Sequence, residues 1–322
     1  MPTRPALLTL SCLGAVLLLA QGALAEMRTV AVTAIDRHPA LDATYRGIED
    51  ALAEAGYSIG DTFTLTYVNA EGSAARAGDI ARRLVETAPD VIVPISTPSA
   101  QAVVAAGGSV PVVFAAVTDP LAAKLVGDLQ HPGGTVTGVS DGSPIGAHLD
   151  LIKEITPEVR RLGVVFNPLE VNALVLLERL EAEAPARGIE IVAAEARRAS
   201  EVAAAARGLI GRADAIYIPT DNTVVAAAEE VVALGSANGV PVYAGDTNMV
   251  HLGALAALGF NYYDLGRQTG RIVVRVLEGE RAGDVPVQEV EITELYLNLA
   301  AAKAMGVSLP EAALARAKRI IE

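Results

Sequence analysis

Residues 91–120 read VIVPISTPSAQAVVAAGGSVPVVFAAVTDP. Two β-branched runs, Val91–Ile95 and Val110–Phe114, flank a helical stretch of small residues, Ser99–Ala106. A strand feeding a helix and then a second strand is a β–α–β unit, whose strands lie parallel with the helix packed across one face. The runs are apolar without alternation, as expected of strands covered on both faces. Each is followed by hydroxyl-bearing residues and a proline, Ser96-Thr97-Pro98 and Thr118-Asp119-Pro120, which read as helix starts.

Outward from this unit the alternation continues. Thr29–Thr33 and Phe63–Tyr67 precede it as strands, with helices over Ala40–Ala55 and Ala74–Thr87, and Val136–Val139 follows as a strand. In the first helix Leu41, Tyr45, Ile48 and Leu52 recur at helical spacing and form one apolar stripe, with Gly56 as a stop. A second run of strands is predicted at Leu162–Phe166, Glu190–Ala194, Ala215–Ile218, Val240–Ala244 and Ala254–Leu258, with helices over 169–186, 200–210 and 223–238. Two such runs predict an α/β protein of two doubly wound parallel-sheet lobes. A later helix (264–278), a strand (Val285–Ile292) and two last helices (Leu299–Met305, Pro310–Ile321) exceed what the second lobe needs, so the chain is expected to cross back. The expected boundaries are 26–140 plus 260–284 for the N-terminal lobe and 141–259 plus 285–322 for the C-terminal lobe.

The chain has 322 residues, of which 52% are hydrophobic and 20% charged, a globular balance. Trp is absent, so the core must be built from Ala, Val, Leu and Ile. Arg4, the apolar run Ala6 to Ala20 and the small residues of Ala23-Leu24-Ala25 read as a secretory signal over 1–25, too short in its apolar part to span a membrane. Cys12 is out of register for a lipoprotein motif, because Leu10 stands one place off. It is the only cysteine, so the exported chain has no disulfide, no Cys-based zinc site and no thiol chemistry. The net charge of −13 disfavours binding to nucleic acid or anionic lipid, and no nucleic-acid partner is expected.

In open parallel sheets ligands bind beyond the carboxyl ends of the strands. The first-half tips carry His38, Thr97, Ser99, Thr118 and Asp119, next to helix starts whose free N–H groups suit a carboxylate. The second-half tips carry Asn167, Glu170, Thr220, Asp221, Asn222 and Asp246, whose acids suit an ammonium group. A zwitterion held between the lobes satisfies both sides, whereas ordinary helix capping would account for any one tip taken singly.

Catalytic readings lack context. Gly138-Val139-Ser140-Asp141-Gly142 has the spacing of a nucleophile elbow, but Ser143-Pro144 interposes before any helix. Histidines 38, 131, 148 and 251 are scattered without metal-ligand spacing, and no phosphate- or dinucleotide-binding motif is present. No enzyme activity, metal or cofactor is expected.

The tips also carry a resemblance. His38-Pro39-Ala40-Leu41-Asp42, Thr97-Pro98-Ser99-Ala100-Gln101, Ala116-Val117-Thr118-Asp119-Pro120, Thr137-Gly138-Val139-Ser140-Asp141, Tyr217-Ile218-Pro219-Thr220-Asp221-Asn222, Tyr262-Tyr263-Asp264-Leu265-Gly266 and Asn298-Leu299 resemble the tryptophan/tyrosine-type ABC transporter substrate-binding proteins, of the type I periplasmic binding fold. The resemblance implies two lobes joined by three crossovers, closing on a small solute, most simply an amino acid. It also implies an ABC permease and its ATPase as partners; the protein is expected to be periplasmic and monomeric. By the same comparison Thr97, Ser99 and Thr118 form the carboxylate side and Asp221 and Asp246 the ammonium side, with Asn167, Glu170 and Asn222 as secondary contacts. A departure is Leu169, where many relatives have Gly. A sensor that signals to a membrane receptor would share the same cleft.

Overall fold

A computed structural model describes residues 27–60, 63–290 and 293–322; the predicted leader lies outside them. The first lobe opens with β1 (Arg28–Ala34), α1 (Pro39–Glu54), β2 (Phe63–Asn69), α2 (Ala74–Thr87), β3 (Val91–Ile95), α3 (Thr97–Ala106), β4 (Val112–Val117) and β5 (Val136–Ser140). The second follows as α4 (Ile145–Ile155), β6 (Arg161–Phe166), α5 (Val171–Glu183), β7 (Glu190–Glu195), α6 (Ala199–Arg207), β8 (Ala215–Ile218), α7 (Asn222–Val225), α8 (Ala228–Asn238), β9 (Val242–Ala244), α9 (Asn248–His251) and β10 (Ala256–Gly259). The remainder is α10 (Tyr262–Leu277), β11 (Gln288–Glu289), β12 (Glu294–Asn298), α11 (Leu299–Ala304), α12 (Glu311–Arg316) and β13 (Arg319–Ile321).

Two sheets form, ordered β11-β5-β4-β3-β1-β2 and β13-β12-β10-β9-β8-β6-β7. Every pairing is parallel except β10 with β12. The chain passes between the sheets after β5, after β10 and again between β11 and β12, the three crossovers expected. Each sheet is covered by its own aliphatic core, around Val32, Ile48 and Val93 in one lobe and Val164, Leu176 and Val231 in the other.

Although α10 follows β10 of the second sheet, it returns to the first lobe. Its buried stripe of Leu265, Thr269, Ile272 and Val276 packs there beside α1. The two helices approach at glycines: a Cβ on Gly266 would stand 2.1 Å from the Thr44 carbonyl oxygen, and one on Gly47 would stand 2.1 Å from that of Tyr263.

Four local expectations change. The helix start read at Thr118-Asp119-Pro120 is a turn, held by Asp119 accepting from the N–H groups of Leu121 and Ala122, and no helix lies between β4 and β5. The predicted strand Val285–Ile292 contracts to β11 and joins β5 of the first sheet, so residues 285–290 lie with the N-terminal lobe. Val285 and Val287 decide this by burying themselves in first-lobe cores. The predicted terminal helix Pro310–Ile321 stops at Arg316, and β-branched Ile320 and Ile321 add a strand to the open edge of β12. The helix predicted over 223–238 is broken into α7 and α8 at Ala227, whose backbone leaves the helical region.

Candidate functional site

The strand tips of the two sheets line a small cavity between the lobes. From the first lobe, two helices begin at its wall without a side-chain cap. At α1 the N-cap is His38, buried and with neither ring nitrogen in a well-formed hydrogen bond. Burial pushes its imidazole down to about 4, opposed by the Asn222 amide beside it, so the ring is neutral at pH 7. At α3 the N-cap Ser96 takes φ 84° and its hydroxyl makes no cap, leaving the first-turn N–H groups without a side-chain acceptor. Thr97 lines the cavity and accepts from the Thr118 N–H at 3.4 Å.

Ala116, on the cavity wall, also holds a positive φ of 53°, where the β4–β5 register shifts between Phe114 and Val117. Non-glycine residues in this region store strain of order 1–3 kcal/mol, which gathers where a fold presents a site.

The opposing wall is acidic. Asp246, just past β9, accepts at Oδ1 from the backbone N–H (2.8 Å) and the side-chain amide (2.9 Å) of Asn248. Its Oδ2 is buried with no partner, and burial pushes the carboxyl up to about 6. Thr220 lines the same wall with a buried, unpartnered hydroxyl. Asp221 also lines the cavity, but its oxygens accept from the Asn167 N–H (2.6 Å) and, as the cap of α7, from the Val224 N–H (3.1 Å). Burial, and then the charge of Glu170, hold its carboxyl well above the usual carboxylate range.

Residues 29–321 match the family of ABC transporter substrate binding proteins. The chain belongs to that family. This substrate-binding protein is 36% identical over 280 residues to the tyrosine-binding protein of Clostridioides difficile, covering 87% of this chain and 81% of that one. Among solved structures, a Streptococcus pneumoniae ABC domain in complex with L-Trp is 35% identical, with 91% and 99% of the two chains covered and a TM-score of 0.88. A ligand-free, open substrate-binding protein with adhesive properties from Clostridium difficile is 34% identical over 91% and 99% of the chains, with a TM-score of 0.69. Sequence divergence is the same in both comparisons, so the difference lies in shape: this binding protein stands closer to the Trp-bound form than to the open one. The tryptophan/tyrosine-type resemblance holds, and these relatives are binding proteins rather than enzymes.

Of the residues singled out by sequence, His38, Thr97, Thr118, Thr220, Asp221, Asn222 and Asp246 come together on the cavity wall of this binding protein. The other four stand elsewhere. Ser99 is buried in the first turn of α3, off the wall. Asp119 accepts from the N–H groups of Leu121 and Ala122 and pairs across the lobes with Arg179 of α5, at 2.6 Å. Asn167 and Glu170 lie behind the wall. Glu170 accepts from the Thr223 hydroxyl (2.7 Å) and the Asn222 side-chain amide (2.6 Å), while Asn167 donates to Thr223 at 2.8 Å. They fix the start of α7 rather than face the cavity.

Asp141, Asn172 and Tyr262 also line the wall; Asn172 carries no signal in the sequence, and Asp141 and Tyr262 stand there only within the resembling segments. Asp141 follows β5 directly, so the strand-tip rule applied there would have found it. Nothing in the sequence separates Tyr262 from the core aromatics Phe114, Tyr217, Tyr243 and Phe260, which are fully buried elsewhere. Ser140, the elbow candidate, is the last residue of β5 and its hydroxyl reaches only the Thr118 carbonyl, at 3.5 Å. His148 bonds Tyr217 at 2.6 Å.

Proposed function

We propose that this binding protein captures a zwitterionic amino acid, aromatic by preference, in the interlobe cavity. It then delivers the solute, outside the cytoplasm, to the permease of an ATP-driven importer. The observation that carries the reading is the polarity of the cavity. Two uncapped helix N-termini on the first lobe attract a carboxylate, and the unpartnered Oδ2 of Asp246 on the second awaits a donor. Leu41, Ala116, Val225 and Tyr262 supply apolar wall for a side chain. The relatives that bind tyrosine and L-Trp support the aromatic preference. Arg4, Ala6 to Ala20 and Ala23-Leu24-Ala25 support export.

The test is a thermal-shift and calorimetric screen of the exported chain against the natural amino acids. L-Trp or L-Tyr at about 100 times its dissociation constant should stabilise the protein by roughly 2.7 kcal/mol. A flat response to every α-amino acid refutes the reading.

A further inference from the structure

We propose that Asp141 is a second ligand carboxylate, so that the ammonium group of the bound amino acid is held between Asp141 of the first crossover and Asp246 of the second lobe. The inference rests on the cavity reading above and names the group that sets its specificity for an amine.

Asp141 is 3% exposed and faces the same cavity as Asp246. Both of its oxygens are aimed by neutral donors. Oδ1 accepts from the Thr118 hydroxyl at 3.1 Å, on the first lobe, and Oδ2 from the Tyr262 hydroxyl at 3.0 Å, at the start of α10 on the second crossover. The carboxylate is therefore pinned where the first-lobe tip and two crossovers meet. A carboxylate offers about four lone-pair sites, so each oxygen keeps accepting capacity toward the cavity.

No cation answers this charge. Among the described residues neither Asp141 nor Asp246 takes part in an ion pair, and no Lys or Arg lines the cavity. Two buried carboxylates facing one small space repel each other, and each raises the demand for a shared cation. An ammonium group carries three donors. The Asp246 Oδ2, an Asp141 oxygen and the unpartnered Thr220 hydroxyl give it three acceptors around one cavity.

The pair is tested by titrating L-Trp and indole-3-propionate, which lacks only the amino group, into wild type, Asp141→Asn and Tyr262→Phe. Wild type should prefer L-Trp by 100-fold or more. In Asp141→Asn the affinity for L-Trp should fall about tenfold or more, and the preference over indole-3-propionate should narrow by the same factor. Tyr262→Phe removes the hydroxyl that aims Oδ2 but keeps the charge, so it should narrow the preference less than Asp141→Asn does. Asp141→Ala, read in the same way, replaces the amide variant if that one melts early. An unchanged preference in the Asp141 variants, even with both affinities reduced equally, overturns the inference while leaving the cavity reading intact. Wild-type protein that binds no α-amino acid overturns both.

Discussion

Asp246 is held by one oxygen and open at the other, and that asymmetry gives it a measurable signature. Unliganded, burial raises its carboxyl to about 6. The titratable neighbours are Asp141, Asp221, Tyr262 and His38; the His38 imidazole, at about 4, stays neutral across the range that matters. A ligand ammonium favours the ionised carboxylate, so binding releases a proton when it occurs below pH 6. Calorimetric affinity for L-Trp should therefore be flat above about pH 7 and weaken by up to tenfold per unit below 6. Asp246→Asn should reduce that slope to the part owed to the other buried wall carboxylates, Asp141 and Asp221, and weaken binding by about 2–4 kcal/mol, roughly 30- to 1,000-fold. Undiminished affinity in the variant would remove Asp246 from the ligand site. At this scale the sequence was half legible. Residue type and strand-tip position located Asp246, Thr97 and His38, but Asp119 and Glu170 carry the same signal and have other partners. Glu170 is bound by Asn222 and Thr223, about fifty positions away in sequence, and Asp119 by Arg179.

The close crossing of α1 and α10 shows where an element's sequence is ruled by its neighbour. Gly266 lies mid-helix, where alanine would ordinarily stabilise by about 1 kcal/mol. Its Cβ would meet backbone of α1 at 2.1 Å, and backbone cannot yield as a flexible side chain can. Overpacking of this kind typically costs about 1–3 kcal/mol, so the clash outweighs the propensity. Gly266→Ala should lower the urea midpoint of the unliganded protein with its slope unchanged; a raised midpoint would mean that the helices separate freely. The stripe of α1 was readable from spacing, and so was the stop at Gly56. The end of the chain was not. Residues 310–321 read as one helix because nothing local announces the free edge of β12 that Ile320 and Ile321 join.

Across the whole molecule, the lobes are tied outside the cavity by the Arg179–Asp119 pair. Asp119 is anchored by two N–H groups of its own lobe, and Arg179 reaches it from α5 of the other. Val171, at the start of α5, packs on the first-lobe cluster that contains Phe114 and Val117. Both charges are partly exposed, so the pair is worth no more than about 1 kcal/mol. Arg179→Ala should raise the dissociation constant for L-Trp by at most about fivefold, through faster release, and the effect should shrink at high salt. Small-angle scattering of the unliganded variant should show a more open particle; an unchanged profile would mean that the pair does not govern closure.

Alternation of apolar runs with amphipathic stretches, together with the polar tips between them, determined two parallel-sheet lobes and a cleft between them. These are consequences of short-range periodicity, which a linear sequence carries in full. Which tip faces the cavity, which acid caps a helix instead, and where residues 285–290 settle depend on contacts between residues tens to more than a hundred positions apart. Thr137 donating to the Val285 carbonyl at 2.7 Å, Tyr262 aiming Asp141 and Arg179 reaching Asp119 exist only once the crossovers have brought both lobes together. Hydrogen bonds and charges act over a few ångströms, so the tertiary structure alone assigned the wall its oxygens, leaving Asp246 open and Glu170 engaged.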